Sequence, residues 1–509
     1  MADTNKNPLQ LTATPSAESK ITGSAQGRID TIPKRFLVHF RRPHDYDGNY
    51  GFDWLQPEFE NYVSSFRLRN EYNPTRLFGE GYLTPWLSIA IEQTVKINLV
   101  IQSLNDAITP SDNDIIRLPR QGNIRFVPEE IRVKDITENV KHFPTGEEKG
   151  VEVEVICDGA ISSDTIVNVF NQNNKIIGRL SVLRNNNELV MPVRVVLLVR
   201  EGYEEPDIRA LTEHMTSRYG DFSDCSSISE CMESLEKHMN TYAYNQAFIR
   251  CEMERDSNRQ IIEYRITINE AEWKRKGYID ANGRIISGVN EARETALINE
   301  LLEIYRTQVE RGQRNRFRGV VMMITNFEAG RTEKRRNEDS NEYEEFSYIT
   351  LGLGNLNVID ARNCIMFKNR FPNEDGNANK VTYIHEIGHV LSLAHPFQVW
   401  PSPEVRRERE EHIARLNRFF EHPDVTEAER AREWLRHRDT FKRINRSLFL
   451  FSRNRYTFIG NGTARNPERG MTRTFMDYVE ERRTDNRRFF TQRQWRTIQE
   501  AVRRFFSRR

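Results

Sequence analysis

Residues 380–396 read KVTYIHEIGHVLSLAHP, and three histidines and one glutamate fall within the eleven residues 385–395. Val381, Ile384, Ile387, Val390 and Leu391 spread apolar surface around the stretch, which predicts a helix buried on most sides. His385 and His389 are four apart, so their rings leave one face one turn above the other. That separation lets two imidazoles share one zinc ion at about 2.0–2.1 Å. Glu386, beside the first histidine, is placed to take a proton from a water that the ion activates. After Leu391 the chain must leave the helix and bring His395 back to the same metal. A purely packing role for these histidines would leave Glu386 as a costly buried charge on an apolar helix.

Downstream, residues 473–482 read RTFMDYVEER. Together the two stretches resemble the metzincin clan of zinc metallopeptidases, whose signature is HExxHxxGxxH followed by a methionine turn. The resemblance implies Zn2+ held by His385, His389 and His395, with Glu386 as catalytic base. It also implies that Met476 forms an apolar floor beneath the histidines. Tyr478 falls where astacin- and serralysin-like members carry a tyrosine that ligates zinc or supports the oxyanion. Asp477 and Tyr478 read equally well as ordinary turn residues. The strand–helix order over about 191–391 is similar to the clan's N-terminal subdomain. RFFTQRQWRTIQEAVRRFF (488–506) resembles its closing helix, with Trp495, Ile498, Val502 and Phe505 on one face and Thr491 as cap.

Two features depart from the clan's pattern. Ser392 stands where glycine permits a left-handed backbone, at a cost of roughly 1 kcal/mol. A structural zinc site contributes on the order of ten kcal/mol, so serine strains the turn without removing the third ligand. The second departure is the 81-position separation of His395 from Met476, much of it a charged region at about 401–446. That region reads as a helical insertion. A rival architecture would recruit Glu404, Glu408, Glu410 or Glu411 as third ligand, making His395 and the FMDY turn coincidences. LPRQG (118–122) has Gln121 where a cysteine-switch latch would need a thiol.

At 509 residues the chain exceeds one ordinary core, and it reads as multidomain. Residues 1–31 carry almost no large apolar side chains and are expected to be a disordered tail. Residues 32–190 alternate apolar and polar positions, as in TVKINLVIQ and GVEVEVIC, with a turn signal at Asn173–Asn174. An all-β, sandwich-like accessory domain is expected there. Residues 191–509 are expected to form an α+β, metzincin-like catalytic domain. Within it, ARNCIMFKN reads as an edge strand, EAGRTEKRRNEDSNEYEE (328–345) as an exposed charged loop or helix, and DCSSISEC as a loop whose Cys225 and Cys231 are expected to be free thiols, with pairing after export the alternative.

Lys+Arg 75 against Asp+Glu 74 leaves no global field for nucleic acid or membrane, and no apolar run approaches a bilayer-spanning length. Five scattered cysteines without a CxxC exclude a thiolate zinc ribbon. The N-terminus lacks the pattern of a Sec signal, so the chain is expected to be cytoplasmic as synthesised, with export by a non-Sec secretion or injection machinery as partner. The expected activity is zinc-dependent hydrolysis of peptide bonds in an extended polypeptide laid along the edge strand near Cys364–Lys368. The alternatives are a zinc-stapled binding protein without catalysis and a zinc amidase acting on peptidoglycan peptides.

Overall fold

The computed structural model describes residues 36–55, 66–104, 113–137, 140–143, 146–217, 220–287, 291–311, 317–336, 343–350, 352–354, 362–368, 379–393, 395, 411, 414, 418, 426–430, 458–460, 463–465, 474–476 and 488–506. The expected tail (1–31) lies outside them, as does nearly all of the expected insertion (401–446). Among the described residues no helix is long and apolar enough to cross a membrane.

Among the described residues thirteen strands occupy the N-terminal part. They are β1 (Phe36–Arg41), β2 (Gly51–Asp53), β3 (Thr75–Leu77), β4 (Glu80–Tyr82), β5 (Trp86–Ser88), β6 (Thr94–Ser103) and β7 (Ile115–Arg117). After them come β8 (Ile124–Val127), β9 (Glu130–Arg132), β10 (Val140–Phe143), β11 (Gly146–Cys157), β12 (Thr165–Asn171) and β13 (Ile176–Val182). One sheet runs β1-β6-β11-β10 with β8 also on β11, and the other runs β2-β5-β13-β12-β7-β9. The alternation explains the pairing of faces. Val95, Ile97, Leu99, Val153 and Val155 from the first sheet meet Val167, Val169, Leu180 and Val182 from the second in one core. β12 and β13 form a hairpin whose turn places Asn174 at φ 57°, the left-handed region that asparagine tolerates.

The third sheet follows different rules. β14 (Leu189–Arg200) lies at its centre. β15 (Ile249–Met253) and β16 (Glu263–Ile268) pair in succession along one side of β14, and β18 (Val320–Arg336) pairs along the other, all parallel. β17 (Ile285–Ile286) and β19 (Tyr343–Ile349) pair with the outer part of β18. β21 (Asn363–Lys368) continues the parallel set, and β20 (Gly352–Gly354) closes the edge antiparallel to β21. Both faces are covered, so these strands read as continuous apolar runs. Val193, Val195 and Leu197 face helices Glu204–Met215, Ile228–Tyr242, Lys380–Val390 and Gln492–Phe505. Val196 and Leu198 face helix Glu291–Gln308 on the opposite side.

Three expectations are corrected here. Cys364–Lys368 is not the edge: β21 is flanked on both sides, and the edge is the three-residue β20. Much of the charged segment 328–345 is neither loop nor helix, because β18 runs to Arg336 and turns back as β19. The register sets Lys334 opposite Glu345 and Arg335 opposite Glu344. Cys231 sits inside helix Ile228–Tyr242, which starts at Ser227 because its side chain accepts the Glu230 amide. Cys225 and Cys231 are both free thiols.

The sandwich and the third sheet meet along the C-terminal helix. Asp53 accepts the Gln492 amide at 2.9 Å, Glu71 pairs with Arg493, and Asp164 pairs with Arg496 at 2.9 Å. Thr491 and Gln494 form a capping box at the helix start, and Trp495, Ile498 and Val502 are buried, as their spacing predicts.

Candidate metal centre

The histidine helix begins at Asn379, whose side chain accepts the Val381 amide, and runs from Lys380 to Val390. Asp221 accepts the Lys380 amide at 2.9 Å, which satisfies another first-turn donor with a carboxylate suited to the positive end of the helix. The helix ends in a Schellman turn: Leu393 N–H reaches Gly388 O and Ser392 N–H reaches His389 O, each at 2.9 Å. Ser392 takes φ 73°, the left-handed state its position demands. Serine at this turn therefore still delivers the chain to His395.

The Nε2 atoms of the three histidines form a tight triangle: His385–His395 3.0 Å, His389–His385 3.1 Å and His389–His395 3.1 Å. His385 Nδ1 lies 2.8 Å from the Phe475 carbonyl, and His389 Nδ1 lies 2.8 Å from the Leu393 carbonyl. Carbonyls only accept, so both Nδ1 atoms carry the proton. In the neutral rings, the Nε2 lone pairs of His385 and His389 then face each other across 3.1 Å. Burial lowers the pKa of His389 to about 4, which keeps that ring neutral and its lone pair available. Facing lone pairs repel one another, and a cation among them removes the conflict. Three donors on a tetrahedral ion at about 2.0–2.1 Å stand roughly 3.3 Å apart, within a few tenths of the triangle seen. His385 and His389, both buried, and the half-buried His395 could together hold a metal ion, and the carbonyls on two of the rings fix them as the outer partners of metal-bound imidazoles commonly do.

Glu386 is only 7 % exposed. What lies over it is backbone. A Cβ on Gly352 would stand 2.5 Å from Glu386 Cγ, and one on Gly354 would stand 2.5 Å from Glu386 O and 2.6 Å from His389 Cβ. The edge strand can press on the catalytic candidate only because it carries hydrogen at both positions. Cys364, on the neighbouring strand, has its thiol pushed far above the ordinary range, by burial first and by the Glu386 carboxylate second. It is not among the side chains grouped to hold a metal ion.

Met476 is fully buried, and its sulfur lies directly against Gly388, where a Cβ would strike it. The methionine therefore sits beneath the turn between His385 and His389. The structure thus brings together His385, Glu386, His389, His395 and Met476. Tyr478 and Asp477 lie outside the described residues, as do Glu404, Glu408 and Glu410, while Glu411 is exposed.

Gly352, Gly354, Gly388 and Phe475 were not singled out from sequence. Gly388 carried a signal, since glycine inside a helix costs about 1 kcal/mol and points to a close neighbour. Phe475 acts through its carbonyl, which no side-chain pattern reveals. No family model matches this chain, and no curated protein matches it.

Proposed function

We propose that the chain is a zinc-dependent metalloendopeptidase of metzincin-like design. The observation that carries this reading is the convergence of three Nε2 atoms within 3.1 Å, with Glu386 on the same helical turn beneath Gly352 and Gly354 of the neighbouring strand. Zinc held by His385, His389 and His395 would supply a Lewis acid for water and for the scissile carbonyl. Glu386 takes the proton of the attacking water and passes it to the leaving amine. Met476 supports the ligand pair from below, and the sequence resemblance implies that Tyr478, outside the described residues, would donate to the oxyanion. An extended polypeptide adds to the sheet along β20, so the scissile bond arrives beside Glu386. This replaces Cys364–Lys368 as the docking edge.

The test pairs metal analysis with cleavage of unfolded protein substrates, comparing wild type with Glu386→Ala. One zinc per chain is expected in both, with cleavage by the wild type alone. Equal turnover would remove Glu386 from the mechanism, and a chain that binds no zinc would remove the mechanism itself.

A further inference from the structure

Phe489 and Phe490 are adjacent, yet they belong to different cores. Phe489 is buried among the sandwich residues with the Arg42 guanidinium 3.7 Å from its ring centre. Phe490 is buried in the core of the third sheet, between Tyr244 at 5.6 Å and Phe475 at 4.8 Å. Extended backbone sends consecutive side chains to opposite sides, so one dipeptide is pinned from both.

The same short segment reaches the metal centre through main-chain bonds. Phe489 O accepts the Phe475 amide at 3.0 Å, and Phe475 O accepts from His385 Nδ1 at 2.8 Å. Tyr244 completes the circuit, its hydroxyl donating to Ile384 O at 2.9 Å on the histidine helix. On the other side the segment is held by the loop before β2. Gln246, fully buried, accepts the Phe490 amide at 3.0 Å and donates to Arg488 O at 3.0 Å and to Gly48 O at 3.1 Å. Gly48 has φ 94°, and a Cβ there would stand 2.5 Å from Tyr242 O and 2.7 Å from Arg488 O. Arg488 also donates to Tyr46 O at 3.3 Å.

We infer that the N-terminal sandwich is a working part of the metal centre: through Gly48, which Gln246 of the turn before β15 bridges to the strap, and through the seat of Phe489 it fixes the 488–490 strap, which sets the Phe475 carbonyl that orients His385. These three are positioning residues. The inference rests on the metal centre and not on peptide hydrolysis. An inserted ring and four backbone-directed hydrogen bonds place the strap, and a misplaced carbonyl turns the imidazole it orients, which typically costs 10- to 100-fold in metal affinity.

The experiment uses the full chain. Zinc affinity is measured by competition with a chromophoric chelator, and ligand geometry by the visible absorption of the cobalt(II) form. Phe489→Ala and Gly48→Ala are each expected to weaken zinc at least tenfold and alter the cobalt bands, with Phe489→Leu recovering most of the loss. Val167→Ala, in the same sandwich core but remote in sequence from the strap, should bind zinc as the wild type does. A second measurement needs no variant: zinc added to wild type should slow amide hydrogen exchange in 43–50 and 488–490. Wild-type affinity in folded Phe489→Ala and Gly48→Ala would overturn the inference while leaving the metal site standing. So would unchanged exchange in both segments. Failure of the wild type to bind zinc would sink the inference together with the metal-site reading.

Discussion

The sandwich core and the turn of helix around Glu386 bury side chains under opposite rules. Between the two N-terminal sheets the buried residues are almost all Val, Ile, Leu, Phe and aromatic neighbours, so each contributes transfer free energy and any one is replaceable within limits. Within residues 385–389, two imidazoles and a carboxylate are buried together, each at 7 % exposure or less. That turn is costly to desolvate, and a cation held among its imidazoles would offset the cost. The contrast teaches that a loss in the sandwich away from Gly48 and Phe489 should appear as stability, and a loss in the centre as altered metal binding or, under the proposed function, turnover.

Glu386→Gln presses that contrast hardest. Peptide cleavage is expected to fall about 10³-fold while zinc content and melting temperature stay at wild-type values. Zinc lost along with activity would show that Glu386 supports the ligands, which breaks the division. Gly354→Val comes next, since the new side chain must enter space held by Glu386 O and His389 Cβ. A loss of about 2 kcal/mol in denaturant stability together with at least tenfold in turnover is expected, an effect on both sides of the line.

Asp53 sharpens the comparison from the sandwich side. Burial raises its carboxyl to about 7, against the pull of the Gln492 amide and Arg42. A raised folded-state pKa means that the folded chain binds the proton more tightly than the unfolded one. The stabilising contribution is therefore complete below about pH 4 and is lost as pH climbs through about 7. Melting temperature should fall between pH 5 and pH 8, by on the order of 2 kcal/mol of stability, and Asp53→Asn should flatten that slope. A slope unchanged in the variant would remove Asp53 as its source. Ser392→Gly is the gentlest probe: relief of the left-handed serine should add up to about 1 kcal/mol to stability without changing zinc affinity.

The parts of this molecule that could be read from sequence are those where side chains carry the signal. The spacing of His385, Glu386, His389 and His395 gave the helix face and the ligand set to be tested. Period-two apolarity marked β6, β11, β12 and β13, and the cap at Thr491 with the apolar face of Trp495, Ile498 and Val502 marked the last helix. What stayed hidden depends on backbone. Gly352-Leu353-Gly354 is too short and too poor in strand-forming residues to register as an edge. The hairpin of β18 and β19 has a charged sequence that looks like loop, and only the backbone pairing reveals it as strand. The Phe475 and Leu393 carbonyls that orient two rings belong to residues whose side chains say nothing of that task.

The paired phenylalanines at 489 and 490 impose a restriction on how this chain can change over generations. Adding or deleting a single residue beside them would turn the sandwich's ring outward and the sheet's ring inward at one stroke. Loops elsewhere are free to lengthen, but spacing across 488–491 has no such latitude, and the two modules must travel as one.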